Sequence, residues 1–146
     1  MNSIVVACHN CGKKNRIPAD KQHQKPKCGS CGAAIDLGSG AVPVELDDST
    51  LAPFIGQASL PVLVDFFSPT CGPCRMMSPI IDNLARKFLG RVIIAKLDTS
   101  RNQMAPAKYR IRGVPTLIVF KNGQAVDQMT GAMQEMALTQ RLNRFV

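Results

Sequence analysis

Residues 60–67, Leu-Pro-Val-Leu-Val-Asp-Phe-Phe, form a nearly unbroken apolar run rich in β-branched side chains. A strand covered on both faces carries that pattern. Residues 92–97 and 116–120 repeat it. Around these runs the apolar positions fall at helical spacing over 48–55, 74–88, 104–109 and 135–145, the second through Met77, Ile80, Ile81, Leu84 and Phe88. Alternating strands and helices predict an α/β domain built on parallel strands. Asn122-Gly123 between two strand-like runs predicts a hairpin, so the sheet is mixed with an antiparallel edge.

The first 37 residues break this pattern. They hold few aliphatic residues and no aromatic ones, too little apolar surface to fold by packing alone. Residues 37–41, Leu-Gly-Ser-Gly-Ala, read as a linker. The expected division is a four-cysteine module over 1–37, a linker over 38–41 and a larger domain over 42–146. No apolar run approaches the roughly 20 residues of a membrane span. Residues 1–7 lack the basic start and long apolar stretch of an export signal, so a cytoplasmic location is expected.

All six cysteines then demand an explanation, because they fall into three Cys-x-x-Cys pairs. In a reducing compartment such pairs point to metal or redox chemistry instead of structural disulfides. Cys8 with Cys11 and Cys28 with Cys31 are separated by 16 residues, a spacing used by zinc sites. Four thiolates around one Zn2+ make a closed structural centre, which would also supply the folding free energy this segment lacks. With the four sulfurs in place, His9 and His23 are expected to face solvent. The net charge of +8 is shared, +4 to residues 1–40 and +4 to the rest, so the module is the more densely basic part. A solvated metal-binding loop accounts for that, and a nucleic-acid or protein-binding ribbon on a scaffold is the competing reading.

The third pair is placed differently. Cys71-Gly72-Pro73-Cys74 follows the most apolar strand and opens the long helical pattern. Cys71 therefore falls at a helix N-terminus, where free backbone N–H groups and the helix dipole favour a thiolate. Cys74 lies one turn on, within reach of a disulfide, and Pro73 stiffens the turn between them. Pro79 should kink the helix that follows.

Asp65-Phe66-Phe67 leading into Cys-Gly-Pro-Cys, then Arg112-Gly113-Val114-Pro115-Thr116, Phe120-Lys121-Asn122-Gly123 and Gly131-Ala132, resemble the thioredoxin family over residues 42–146. With its four-cysteine extension the whole resembles the bacterial thioredoxin 2 subfamily. The resemblance implies the thioredoxin fold and a protein-disulfide reductase with no bound organic cofactor. Cys71 would attack a substrate disulfide and Cys74 would resolve the mixed disulfide. A buried Asp65 would move the proton of Cys74, with Lys96 beside it. Pro115 would be cis, and the backbone of Val114 would pair with an extended substrate, over a surface kept low by Gly72, Gly113 and Gly131. An NADPH-dependent thioredoxin reductase and disulfide-containing client proteins are the implied partners, with no membrane and no nucleic acid. The family's tryptophans before the first cysteine are replaced here by Phe67 and Thr70. Thr70 borders the substrate surface and is a candidate helix cap.

Overall fold

The computed structural model describes residues 3–8, 10–18, 26–35 and 41–146; His9, His23 and linker residues 38–40 lie outside them. A three-stranded antiparallel sheet is built from β1 (Ser3–Ala7), β2 (Lys14–Pro18) and β3 (Ala41–Val42) in the order β2-β1-β3. The larger sheet contains β4 (Val44–Leu46), β5 (Val62–Phe67), β6 (Ile93–Asp98), β7 (Thr116–Lys121) and β8 (Gln124–Thr130) in the order β4-β6-β5-β7-β8. Its β4, β6 and β5 run parallel, whereas β7 and β8 are antiparallel additions. The mixed sheet expected from the apolar runs is therefore present, with the Asn122-Gly123 hairpin at its edge.

Helices α1 (Leu51–Gln57) and α3 (Met104–Lys108) accompany one side of the sheet, and α2 (Gly72–Lys87) and α4 (Glu135–Leu142) the other. The alternation of strands dictates what each side receives. Val44, Leu46, Val64, Phe66, Ala95, Leu97, Ile118 and Phe120 enter the core with α1 and α3. Leu63, Ile94, Leu117 and Val119 enter the core of α2 and α4, with Met77, Ile81, Leu84 and Phe88. Asp65 and Lys96 occupy the same parity as this second set, so they point toward α2.

Boundaries differ from the sequence expectation for local reasons. Helix α1 starts at Leu51 and not at 48, because Asp47 Oδ1 accepts the backbone N–H groups of Ser49 and Thr50, both at 2.9 Å, and holds a turn there. Residues 143–145 tighten into a 3-10 turn after α4. Helix α2 continues through Pro79.

The N-terminal strands and β4 carry no long apolar run and are not foreseen by the pattern. Val6, Ile17 and Ile35 form a small core with Cys8 and Cys28. Ala41, assigned to the linker, is buried and paired with Val6. On either side of Pro43 the chain thus serves two sheets, with β3 completing the small one and β4 edging the large one.

Candidate functional site

The sequence around Cys71 folds as strand, turn and helix. Ser68 O accepts the Cys71 N–H at 3.1 Å to close the turn, and Pro73 occupies the first turn of α2, where a missing N–H does no harm. The helix cap is Cys71 itself: its Sγ accepts the backbone N–H of Cys74 at 3.2 Å. Thr70, the candidate cap, instead hydrogen-bonds the Ser68 hydroxyl at 3.1 Å and remains exposed beside the dithiol. Its side chain precedes the helix by one residue too many to reach the first-turn amides.

Both thiols are free, with Cys71 partly exposed and Cys74 buried behind it. Burial, followed by the hydrogen bond to Cys71, pushes the Cys74 thiol up to about 11. Three loops meet at Cys71. Its Sγ lies 3.6 Å from the Val114 carbonyl oxygen, and the Gly131 N–H donates to Pro115 O at 2.9 Å. The Val114–Pro115 bond is cis, as the resemblance implied. Gly72 and Pro73 are exposed at the head of α2, while Gly131 has φ +91°, a backbone conformation that disfavours any side chain.

Beneath this surface, Asp65 is only 4% exposed, and its Oδ1 has no hydrogen-bond partner among the described residues. Desolvation raises its carboxyl to about 7 against the opposing pull of the Lys96 ammonium. A cavity of about 30 Å³ joins Asp65 to Cys74, lined also by Phe67, Ser78, Asp82 and Lys96. That volume admits a water. The structure thus gathers Cys71, Cys74, Asp65 and Lys96, together with Thr70, Gly72, Pro73, Val114, Pro115 and Gly131, around one dithiol. Sequence reasoning missed Glu45, whose carboxylate lies 3.9 Å from Lys96 Nζ. The only sequence signal is one charged residue between Val44 and Leu46.

The other four cysteines converge separately. Cys8 Sγ is 3.6 Å from Cys31 Sγ, Cys11 Sγ is 3.6 Å from Cys28 Sγ, and all four sulfurs lie within 4.8 Å of one another. Four sulfurs each about 2.3 Å from a tetrahedral metal would stand about 3.8 Å apart. The set therefore fits Zn2+. The two knuckles are near copies: Gly12 and Gly32, at φ +79° and +77°, donate to Cys8 O and Cys28 O at 2.8 and 2.9 Å. Donors also point at sulfur. Backbone amides of Cys31 and Ser30 lower the Cys28 thiol to about 6, and the Asn10 side chain, 3.5 Å from Cys31 Sγ, lowers that thiol as well. Such donors stabilise the thiolate forms that metals bind.

Residues 42–144 match the Thioredoxin family model. The chain belongs to the thioredoxin family. Residues 7–33 also match the model described as Thioredoxin 2, N-terminal, so a zinc ribbon precedes the thioredoxin domain. Thioredoxin C-3 of Corynebacterium nephridii is 34% identical over 141 residues, spanning 97% of this chain and 94% of that protein. Thioredoxin 1 of Nostoc sp. is 40% identical over 100 residues, 68% of this chain and 94% of the relative. Among solved structures, a mutant thioredoxin from Halobacterium salinarum NRC-1 superposes with a TM-score of 0.66 at 31% identity, covering 71% of this chain and 90% of that one. The thioredoxin domain is accordingly a dithiol-disulfide oxidoreductase that reduces protein disulfides. No helix among the described residues is long and apolar enough to cross a membrane.

Proposed function

We propose that Cys71 is the attacking thiol, Cys74 the resolving thiol and Asp65 the proton acceptor for Cys74, with Lys96 beside it. The Cys71 thiolate attacks one sulfur of a substrate disulfide; the S–S bond breaks, a mixed disulfide forms and the departing sulfur takes a proton. Cys74 gives its proton toward Asp65 and attacks Cys71, which releases the second substrate thiol and leaves the Cys71–Cys74 disulfide. Two electrons have passed to the substrate, and an NADPH-dependent thioredoxin reductase returns them. The observation that carries this reading is the capping geometry, in which the half-exposed Cys71 sulfur accepts the N–H of a buried Cys74 at 3.2 Å. A thiol raised to about 11 needs a base, and a carboxyl near 7 across a small cavity is suited to be one. Thr70, Gly72, Pro73, Val114, Pro115 and Gly131 would form the surface on which an extended client segment lies.

In the same reading, one structural Zn2+ per chain is held by Cys8, Cys11, Cys28 and Cys31. When bound, it supplies folding free energy and leaves no coordination position for chemistry. The chain divides into the ribbon over 1–37, a linker over 38–41 whose last residue, Ala41, enters the ribbon's sheet, and the thioredoxin domain over 42–146. It works in the cytoplasm on disulfide-containing client proteins, where free thiols persist; nucleic acid has no part in it.

Cys74→Ser should accumulate a mixed disulfide with a protein disulfide substrate, and Cys71→Ser should form none. Turnover by Cys71→Ser would discard the assignment. Metal analysis of the full chain should give one zinc per protein, lost when Cys8 or Cys28 is replaced.

A further inference from the structure

Three charged residues stand side by side across the large sheet. Glu45 is the register partner of Lys96 between β4 and β6, and Lys96 is the partner of Asp65 between β6 and β5. Val44 and Leu46 take the opposite face, so Glu45, Lys96 and Asp65 share the face toward α2. The row runs from solvent into the core, with side chains 65% exposed at Glu45, 30% at Lys96, and Asp65 almost wholly covered. Lys96 Nζ lies 3.9 Å from Glu45 Oε1 and also stands 5.6 Å from the centre of the Phe67 ring. The same Glu45 oxygen lies 3.6 Å from Nζ of Lys14, which comes from β2 of the zinc ribbon. One carboxylate thus faces an ammonium from each domain.

We propose that Glu45 is a positioning residue for the buried proton acceptor of the dithiol: it draws the Lys96 ammonium outward from Asp65, and Lys14 of the ribbon, by sharing Glu45, limits that pull. The proposal rests on Asp65 being the proton acceptor. Its consequence is that the ribbon touches the redox chemistry electrostatically, through Lys14 and Glu45.

The signs follow from charge. Glu45 disfavours an ionised Asp65 twice, by its own negative charge and by engaging the Lys96 cation that stabilises the Asp65 carboxylate. Lys14 acts in the opposite sense, because neutralising Glu45 leaves Lys96 freer to face inward. The other titratable or charged groups around this row are Cys74 and Asp82 of α2 in the inner cavity, and Asp47, Asp98 and Arg101 around the outer groove. None of these is changed by substituting Glu45 or Lys14, whose exposed side chains can be replaced without disturbing the core.

The test is a carboxyl carbon NMR titration of Asp65 in the full-length, zinc-loaded protein carrying the Cys71–Cys74 disulfide, where neither thiol titrates. Glu45→Gln should lower the Asp65 midpoint by about 0.5 pH unit or more. Lys14→Gln should raise it by a smaller amount, and the double variant should match Glu45→Gln alone, since Lys14 acts through Glu45. The pH profile of disulfide reduction should move in the same directions. An Asp65 midpoint unmoved or raised in Glu45→Gln overturns the proposal, and equal effects of Lys14→Gln with and without Glu45 overturn the part assigned to Lys14. Asp65→Asn separates the underlying reading: reduction at the parent rate and pH profile would remove the proton role from Asp65, while the midpoints still judge the charge row.

Discussion

At the scale of single residues, the decisive feature is a carboxyl group placed where it is poorly solvated. Asp65 interrupts an apolar strand at a position whose neighbours in register are Lys96 and Leu117, and its Oδ1 has no partner among the described residues. Folding raises its pKa from 3.8 to about 7, so the native state binds more protons than the unfolded state between those values. Stability attributable to Asp65 therefore falls as pH rises through that window and levels off above about pH 7. Denaturant unfolding of the oxidised protein should show Asp65→Asn gaining on the parent from pH 4 to 7, by at most about 3–4 kcal/mol. A gap that stays constant with pH would mean that Asp65 is ionised as readily as an exposed carboxylate. The burial of this residue was legible because Asp65 sits amid apolar neighbours, whereas its proton role was implied only by the family resemblance. The Glu45 partner of Lys96 was not legible, because register between β4 and β6 is a property of pairing and leaves no mark in the local sequence.

At the scale of elements, legibility follows how much apolar pattern an element carries. The strands β5, β6 and β7 and the helix α2 bury long runs or a full helical stripe, and each was visible. Strand β4 has three residues and β3 has two, too few for any period to register. The N-terminal strands were hidden for a different reason: cysteines occupy core positions there, with Cys8 and Cys28 packed among Val6, Ile17 and Ile35. The turns around the dithiol were legible as glycine and proline, and the resemblance implied the cis bond at Pro115, but the positive φ of Gly131 was not legible. Gly131 shows what is at stake, since a Cβ there would meet nothing within 4 Å yet the backbone sits at φ +91°. Gly131→Ala should destabilise the thioredoxin domain by about 1–2 kcal/mol through backbone strain alone. Its N–H donates to Pro115 O, so reduction of a protein substrate should slow more than reaction of Cys71 with a small aromatic disulfide. Equal slowing of both would show that the loop acts on the thiol and not on the substrate surface.

At the scale of the whole molecule, two folding units of very different self-sufficiency share one strand segment. The thioredoxin domain holds two apolar cores on the faces of its sheet. The Nostoc relative is matched over 94% of its length by only 68% of this chain, so a protein of the same family folds with no room for such a ribbon. Among the described residues, the ribbon has three aliphatic side chains and two cysteines in its core, and it joins the larger unit through β1 on β3, Leu89 against its core, and Lys14 on Glu45. With Zn2+ held as proposed, its order should depend on the metal, whereas that of its neighbour should not. Chelation of zinc from the reduced protein should therefore abolish amide-exchange protection in β1 and β2 and lower it at Val42. Protection in β5, β6 and β7 should persist, together with disulfide reductase activity. Because Lys14 leaves Glu45 when β2 loses its order, the Asp65 midpoint of the metal-free oxidised protein should move upward, as in Lys14→Gln. Global loss of protection on chelation would instead make the ribbon part of the thioredoxin core, and the single residue between β3 and β4 would then join two parts of one cooperative unit.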